Sequence, residues 1–413
     1  METPNVAQAP ARLSGMLIGT LLAGCMISLL SFGVRGAYGL FTAPLTTELG
    51  ITREVYAIAI AIQNLCWGIA QPLAGVVADR WGARRVLLAG AIAYGLGIVG
   101  LVFASTPMQL YLTAGVLTGL GMGGASFITV VAALGRAMPQ SHRSWAMGLG
   151  TAGGSLGQFV IVPITQAVIG AGGWRNGAWV MAAAVAVIVL AAFLVRGDRP
   201  TPRPANEVRI TGGQILGAAF SYPSYLLLVA GFFVCGFQLG FITTHFPAYL
   251  QDKGLGAGLA SWGIAMVGLF NVVGAYFAGV WGGKRSKKGL LASIYFARAV
   301  IILLFLTMPL STASVLLFGA SMGLMWLSTV PLTSGLVATF FGTRYMATLF
   351  GIVFFSHQVG SFMGVYMGGY LYERTGSYDV VWWWCIGLSV FAGLVNLPIR
   401  EKVSQPFSKL VPA

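Results

Sequence analysis

Two arginines and two histidines fall inside long apolar stretches of this chain, and any chemistry has to be built around them. Arg35 and Arg298 stay charged at physiological pH, and their planar forks of donors match a carboxylate bidentately. His245 and His357 are the groups in such stretches that titrate near neutral pH. No acid accompanies them at depth, because Glu48, Glu54, Asp252, Glu373 and Asp379 all sit near the ends of the stretches. Positive charge without a carboxylate suits an anionic ligand and leaves no carboxylate relay for protons. A drug or cation exporter would need an acid there, and a sugar or nucleoside carrier would need no net positive charge.

Spacing sharpens the list. Arg35 precedes Pro44 by nine residues, which at 1.5 Å per residue is about 13 Å of helix. Gln238 precedes Pro247 by the same nine residues. Arg298 lies ten residues past Lys288, also at mid-depth, with a stem long enough to reach toward Asn271. The expected substrate contacts are therefore Arg35, Tyr38, Gln238, Asn271 and Arg298, and the candidates for proton coupling are His245 and His357. Each arginine costs roughly 2.5–3.5 kcal/mol at the centre of a membrane helix, so each must be held by a ligand or by helix carbonyls.

The elements that carry these residues follow from composition. Of 413 residues 57% are hydrophobic and 8% charged, against roughly 25% charged in a soluble domain. A helix needs about 20 apolar residues to cross about 30 Å of hydrocarbon. Twelve such spans are predicted, at 15–42, 53–77, 85–104, 107–135, 142–170, 175–196, 221–250, 257–283, 289–308, 312–340, 344–372 and 380–398. The fold class is an all-α integral, multi-pass membrane protein. The stretch from Arg196 to Gly213, rich in Pro and Arg, divides it into a six-helix bundle over 1–196, a linker over 197–220 and a second bundle over 221–413.

The net charge of +14 sorts by place. Eighteen Lys and Arg fall in segments on the side of the termini, among them Arg80, Arg84, Arg85, Arg136, Arg143 and Lys284 to Lys288, whereas Arg53, Arg175, Lys253 and Arg374 fall on the other. Basic residues are retained in cytoplasmic loops during insertion, so both termini are expected to be cytoplasmic, in the plasma or inner membrane. The basic balance is topology, and no nucleic acid is expected as a partner. No cleavable leader is expected from the polar residues 1–14. Cys25, Cys66, Cys235 and Cys385 have no paired spacing, so neither a disulfide framework nor a metal site is indicated, and no cofactor is expected. "GLGMGG" and "GLGTAG" satisfy a dinucleotide pattern, but neither follows a strand.

The halves are weak copies at an offset of about 203 residues: Pro44 answers Pro247, Gly75–Arg85 answers Gly279–Gly289, and Arg143 answers Arg344. A duplicated six-helix unit is the signature of a transport pathway between pseudo-symmetric halves. The loop "GVVADRWGARR" carries Gly75, expected to let two helices approach closely, with Asp79, Arg80 and Arg85 at the membrane surface. It resembles the loop between helices 2 and 3 of the major facilitator superfamily. That resemblance implies the major facilitator fold and a gating role for Gly75, Asp79, Arg80 and Arg85, latching the halves in the outward-facing state. The second copy has Gly283 in place of the acid. "HRSWAMGLGTAGGSLG", "GLFN" and "GGYLYERTGSY" look like helices 5, 8 and 11 of the monocarboxylate transporter and oxalate–formate exchanger branch. Helix 8 departs from that branch, with Asn271 and Ala275 where its carboxylate carriers often have an acid and an arginine.

The expected function is secondary active transport, not catalysis: alternating access for a small organic anion, a monocarboxylate first, with proton symport through a histidine or through the substrate's own proton. An anion exchanger of the oxalate–formate type and an exporter of a neutral or drug-like solute are the alternatives left open, and no oligomer is required.

Overall fold

Each apolar span forms a helix, because in hydrocarbon every backbone donor and acceptor has to be satisfied within its own segment. The computed structural model describes residues 14–195, 211–342 and 345–408. In chain order the spans are α1 (Gly15–Leu49), α2 (Arg53–Trp81), α3 (Ala83–Val102), α4 (Pro107–Ala137), α5 (Gln140–Gly172), α6 (Trp174–Ala192), α7 (Pro223–Asp252), α8 (Ala257–Gly282), α9 (Lys287–Thr307), α10 (Thr312–Phe341), α11 (Met346–Thr375) and α12 (Asp379–Asn396). Most of the expected linker lies outside the described residues; its last part forms a short helix, Gly212–Phe220, capped by Thr211. Twelve passes bring residues 14 and 408 to the same end of the bundle, here called proximal, and the opposite end distal.

Three helices are interrupted where the sequence pattern shows continuous spans. In α1 a tight turn over Tyr38–Phe41 separates Gly15–Ala37 from Thr42–Leu49. Pro44 falls in the first turn of the latter, where its missing N–H costs nothing, so α1 continues seven residues past its expected end at 42. Helix α4 breaks between Gly124 and Phe127, and α10 between Met325 and Thr329. At the repeat offset these two breaks coincide.

Packing repeats the same way. Helix α1 lies along α5 and α7 along α11; α2 packs on α4 and α8 on α10; α3 packs on α6 and α9 on α12. The α1–α5 and α7–α11 crossings are close enough to need glycine: a Cβ on Gly157 would collide with the Leu29 carbonyl, and one on its repeat equivalent Gly360 with the Phe233 carbonyl. Small residues at such crossings let backbones approach where lipid supplies no hydrophobic drive. The first six helices meet the last six along α2–α11, α5–α8 and the distal ends of α1 and α7.

Candidate functional site

The two mid-depth arginines have different surroundings. Arg298 is fully buried, and Nη2 donates to the Met325 and Trp326 carbonyls at 2.7 Å each, while Nη1 donates to Gln238 Oε1 at 3.2 Å. Those carbonyls lie at the α10 break, where the helix offers them no amide. Gln238 in turn donates to the Cys385 carbonyl at 2.9 Å and to the Ser389 hydroxyl. Of the two roles open to Arg298, the structure has it in the structural one, and the reach of its stem toward Asn271 is not used. Asn271 is occupied as well: Oδ1 accepts from the Leu327 amide at 2.9 Å, and Nδ2 donates to Ser155 Oγ on α5 at 2.7 Å.

Arg35 is different. It is 7% exposed, and its guanidinium carbon lies 5.0 Å from the Trp67 ring centre and 5.6 Å from that of Phe32. Among the described residues its hydrogen bonding amounts to one long contact, Nη2 to Asn64 Oδ1 at 3.4 Å, and no acid pairs with it. A guanidinium has five N–H donors, so most of its capacity is unused. One turn on, Tyr38 is 2% exposed, and its hydroxyl lies beside Thr118 and Gln63. The repeat relation between Arg35 and Gln238 therefore does not make a matched pair: one keeps free donors, the other is saturated.

From Arg35 a polar path leads into the other half. Asn64, which accepts from Arg35, also accepts through its main-chain oxygen from Gln358 Nε2 of α11 at 3.2 Å. Gln358 Oε1 is 3.0 Å from His357 Nδ1. His357 thus lies two residues from the Arg35 contact, stacked against Phe354. A further polar group on this seam is Gln158 of α5, 1% exposed, with neither amide atom hydrogen-bonded, lying against Gly36 of α1 and Gly268 of α8. An amide buried without a partner costs about 1–3 kcal/mol, which a polar ligand would recover. The expected contacts include two amides, Gln238 and Asn271, but not Asn64, Gln158 or Gln358, for which the visible signal in the sequence is an amide inside an apolar span.

Both ion pairs between the halves, among the described residues, are distal. Arg53, opening α2, makes a bidentate bridge to Asp252 at the end of α7, with both N–O distances 2.6 Å. Its Nη1 also donates to the Tyr378 hydroxyl at 3.1 Å, its amide donates to Glu373 at 2.8 Å, and its guanidinium stacks 4.0 Å from the Tyr372 ring centre. Arg374 pairs with Glu54 at 3.5 Å. Nearby, Thr42 Oγ1 donates to the Thr244 carbonyl at 3.2 Å, and Gly39 is so close to α7 that a Cβ would strike the Thr243 carbonyl. His245, just below, is fully buried.

Among the described residues the proximal motif makes no ion pair between the halves. Asp79 pairs with Arg136 of α4, within the same half, at 3.0 Å. Arg80 lies over Trp81, and Arg85 is exposed. The close approach expected at Gly75 is corrected: a Cβ there would meet nothing within 4 Å, because α2 parts from α11 after Pro72, which still faces Gly351. Among the described residues no cluster of three or more His, Cys, Asp or Glu could hold a metal ion.

Comparison with known proteins agrees with this architecture. Residues 17–365 match the family model described as Major Facilitator Superfamily. The chain is 24% identical over 385 residues to the uncharacterized MFS-type transporter YcxA of Bacillus subtilis, covering 90% of this chain and 93% of that one. It is 23% identical to monocarboxylate transporter 12 of Rattus norvegicus, covering 94% and 87%, and 26% identical to monocarboxylate transporter 13 of the same organism, covering 87% and 83%. A crystal structure of a D-xylose–proton symporter superposes with a TM-score of 0.71 at 14% identity, over 94% of this chain and 98% of that one, which speaks to the fold alone.

Proposed function

The chain belongs to the major facilitator superfamily, a transporter and not an enzyme, and from that membership we propose that it carries a small organic anion, a monocarboxylate first, by alternating access. The single observation behind the substrate class is Arg35: a buried guanidinium on an aromatic platform, one long hydrogen bond, no acid partner. A carboxylate would take its free donors bidentately, with Tyr38 one turn on and the unpartnered Gln158 amide near the same helix for a further hydrogen bond. The relatives named as monocarboxylate transporters support the same class.

Substrate bound between the halves would be exchanged as they rock about the α2–α11 and α5–α8 seams, with the distal cluster around Arg53 open in one state and the proximal loop around Asp79 engaged in it. The proximal end is cytoplasmic in this reading, following its excess of Lys and Arg, and the two halves on either side of residues 197–220 move as units. Arg298, Gln238 and Asn271 then support the site by holding the broken α10 in shape. Uptake of a panel of labelled carboxylates into proteoliposomes, with and without a pH gradient, tests the proposal. Saturable uptake of at least one carboxylate is expected; movement of a cation or a sugar and of no acid refutes it.

A further inference from the structure

His245 sits in a hydrogen-bond chain whose directions can be assigned without ambiguity. Its Nε2 is 2.8 Å from the Val365 carbonyl of α11, a pure acceptor, so Nε2 carries the proton. Nδ1, 3.3 Å from the Tyr378 hydroxyl, is therefore the acceptor, and Tyr378 donates to it. The same Tyr378 oxygen accepts from Arg53 Nη1, whose guanidinium holds Asp252 across the two halves. Neutral His245 thus completes the distal closure: ring, hydroxyl, guanidinium and carboxylate follow one another from α7 to Tyr378 just before α12, to α2 and back to the end of α7.

We propose that His245 Nδ1 is the proton-binding site of the transport cycle, and that protonation there releases the distal closure between the halves. A proton arriving at Nδ1 turns this acceptor into a donor, so the Tyr378 hydroxyl hydrogen loses its acceptor and the Tyr378 oxygen has to face two donors. It also places an imidazolium one hydroxyl away from the Arg53 guanidinium, in a position with no exposure to water. The other charged and titratable groups facing this place do not offset that. On α7, Asp252 is already held by Arg53, and Lys253 lies over the Tyr249 ring; on α2, Glu54 is held by Arg374. At the end of α11, Glu373 accepts the Arg53 amide and Tyr372 stacks on Arg53; at the start of α12, the Asp379 amide donates to Ser377 Oγ and its carboxylate lies toward Tyr249. Opening the distal end admits water to the charged ring, so the protonated form favours the open state. His357 has no such connection, being joined to the midplane through Gln358.

The inference rests on the alternating-access reading but is tested without substrate. Hydrogen exchange of the intact protein alone in lipid nanodiscs is measured at about pH 5.5 and about pH 8, corrected for the intrinsic pH dependence of exchange, on peptides covering 38–56 and 243–256. Faster distal exchange at the lower pH is expected, by up to about tenfold per pH unit if one proton is linked to opening. The pH response should vanish in His245→Gln and in Tyr378→Phe, which keeps the ring and carries the test if the histidine variant does not fold. A wild type with no distal pH response, or a response that survives in the folded variants, overturns the proposal. Failure to transport any carboxylate would refute the anion reading alone and leave this result standing.

Discussion

Asn271 donates from Nδ2 to Ser155 Oγ at 2.7 Å, joining α8 of one half to α5 of the other. At the repeat offset these positions correspond to Gly68 and Gln358, and those two are also in contact, with Gln358 lying across Gly68 to reach the Asn64 carbonyl at 3.2 Å. The two seams are thus pseudo-symmetric, and in both the amide comes from the last six helices and the small residue from the first six. Each contact is worth about 1 kcal/mol net, strong enough to set register and weak enough to be broken in the proposed rocking of the halves.

Arg35→Ala should leave expression and thermal unfolding close to wild type, since the side chain makes one long hydrogen bond. Carboxylate uptake should fall by roughly 10-fold or more, the weight of a charge-assisted hydrogen bond of about 1.5–3 kcal/mol. Arg35→Lys should also impair uptake, because an ammonium cannot match the carboxylate bidentately. Uptake kinetics in proteoliposomes decide both, and unchanged affinity in Arg35→Ala would shift the ligand role to another residue.

Arg298→Ala should show the reverse balance. It leaves the Met325 and Trp326 carbonyls and Gln238 Oε1 buried without a donor, at about 1–3 kcal/mol for each group that water cannot reach. A marked drop in thermal unfolding temperature and in folded yield is expected, visible before any transport is measured. A variant as stable as wild type would show that α10 holds its break unaided.

Gln158→Leu separates a ligand-binding amide from a packing one. Replacing an unpartnered buried amide by an apolar group of similar size should be neutral or stabilising in thermal unfolding. Transport affinity should nevertheless fall. Loss of stability with unchanged affinity would mean that Gln158 serves the fold instead.

Asp252→Asn should loosen the distal end at every pH. The Arg53–Asp252 bridge is bidentate but partly exposed, at 15% and 29%, so its loss is worth about 1 kcal/mol and about a fivefold shift toward the open state. The check is the rate at which a cysteine at Thr243, in a background without the native cysteines, reacts with an impermeant maleimide from the distal side.

Glu401 provides a pH test away from the membrane interior. Partial burial raises its carboxyl, but donation from the Ser286 hydroxyl at 2.6 Å and the Lys288 amide at 3.0 Å outweighs this and holds it below the usual carboxylate range, at the start of α9. A depressed acid stabilises the fold above its unfolded value, near pH 4.3, and that contribution is lost as pH falls through the folded value. The difference in unfolding temperature between wild type and Glu401→Gln should therefore be constant at neutral pH and shrink on acidification. A difference that grows in acid would contradict the assignment.

Much of this was legible along the chain. Apart from the end of α1, the twelve spans emerge within about four residues of their expected ends, because crossing hydrocarbon imposes a length and an apolar composition that each segment satisfies by itself. The repeat offset between Pro44 and Pro247 also reads directly, and it places the α4 and α10 breaks in register. The breaks themselves were hidden, since nothing in the hydropathy of 118–137 or 312–341 departs from a continuous helix. The loop from Gly75 to Arg85 was recognisable from Asp79 and its arginines, whereas the pairing of Asp79 with Arg136 and the open space at Gly75 come only with the packed helices.

By itself the sequence determined that this is a membrane protein of twelve helices in two related sets, and that two arginines lie at depth with no acid beside them. Tertiary structure alone decided which arginine is free. Arg298 and Arg35 both lie at mid-depth in the linear pattern, but the first meets carbonyls 27 and 28 residues away that a broken helix has left without donors. The second meets aromatic faces and one distant amide oxygen. Insertion into hydrocarbon is set by local free energies that add along a segment, whereas the saturation of a buried donor depends on partners brought together only when the helices pack.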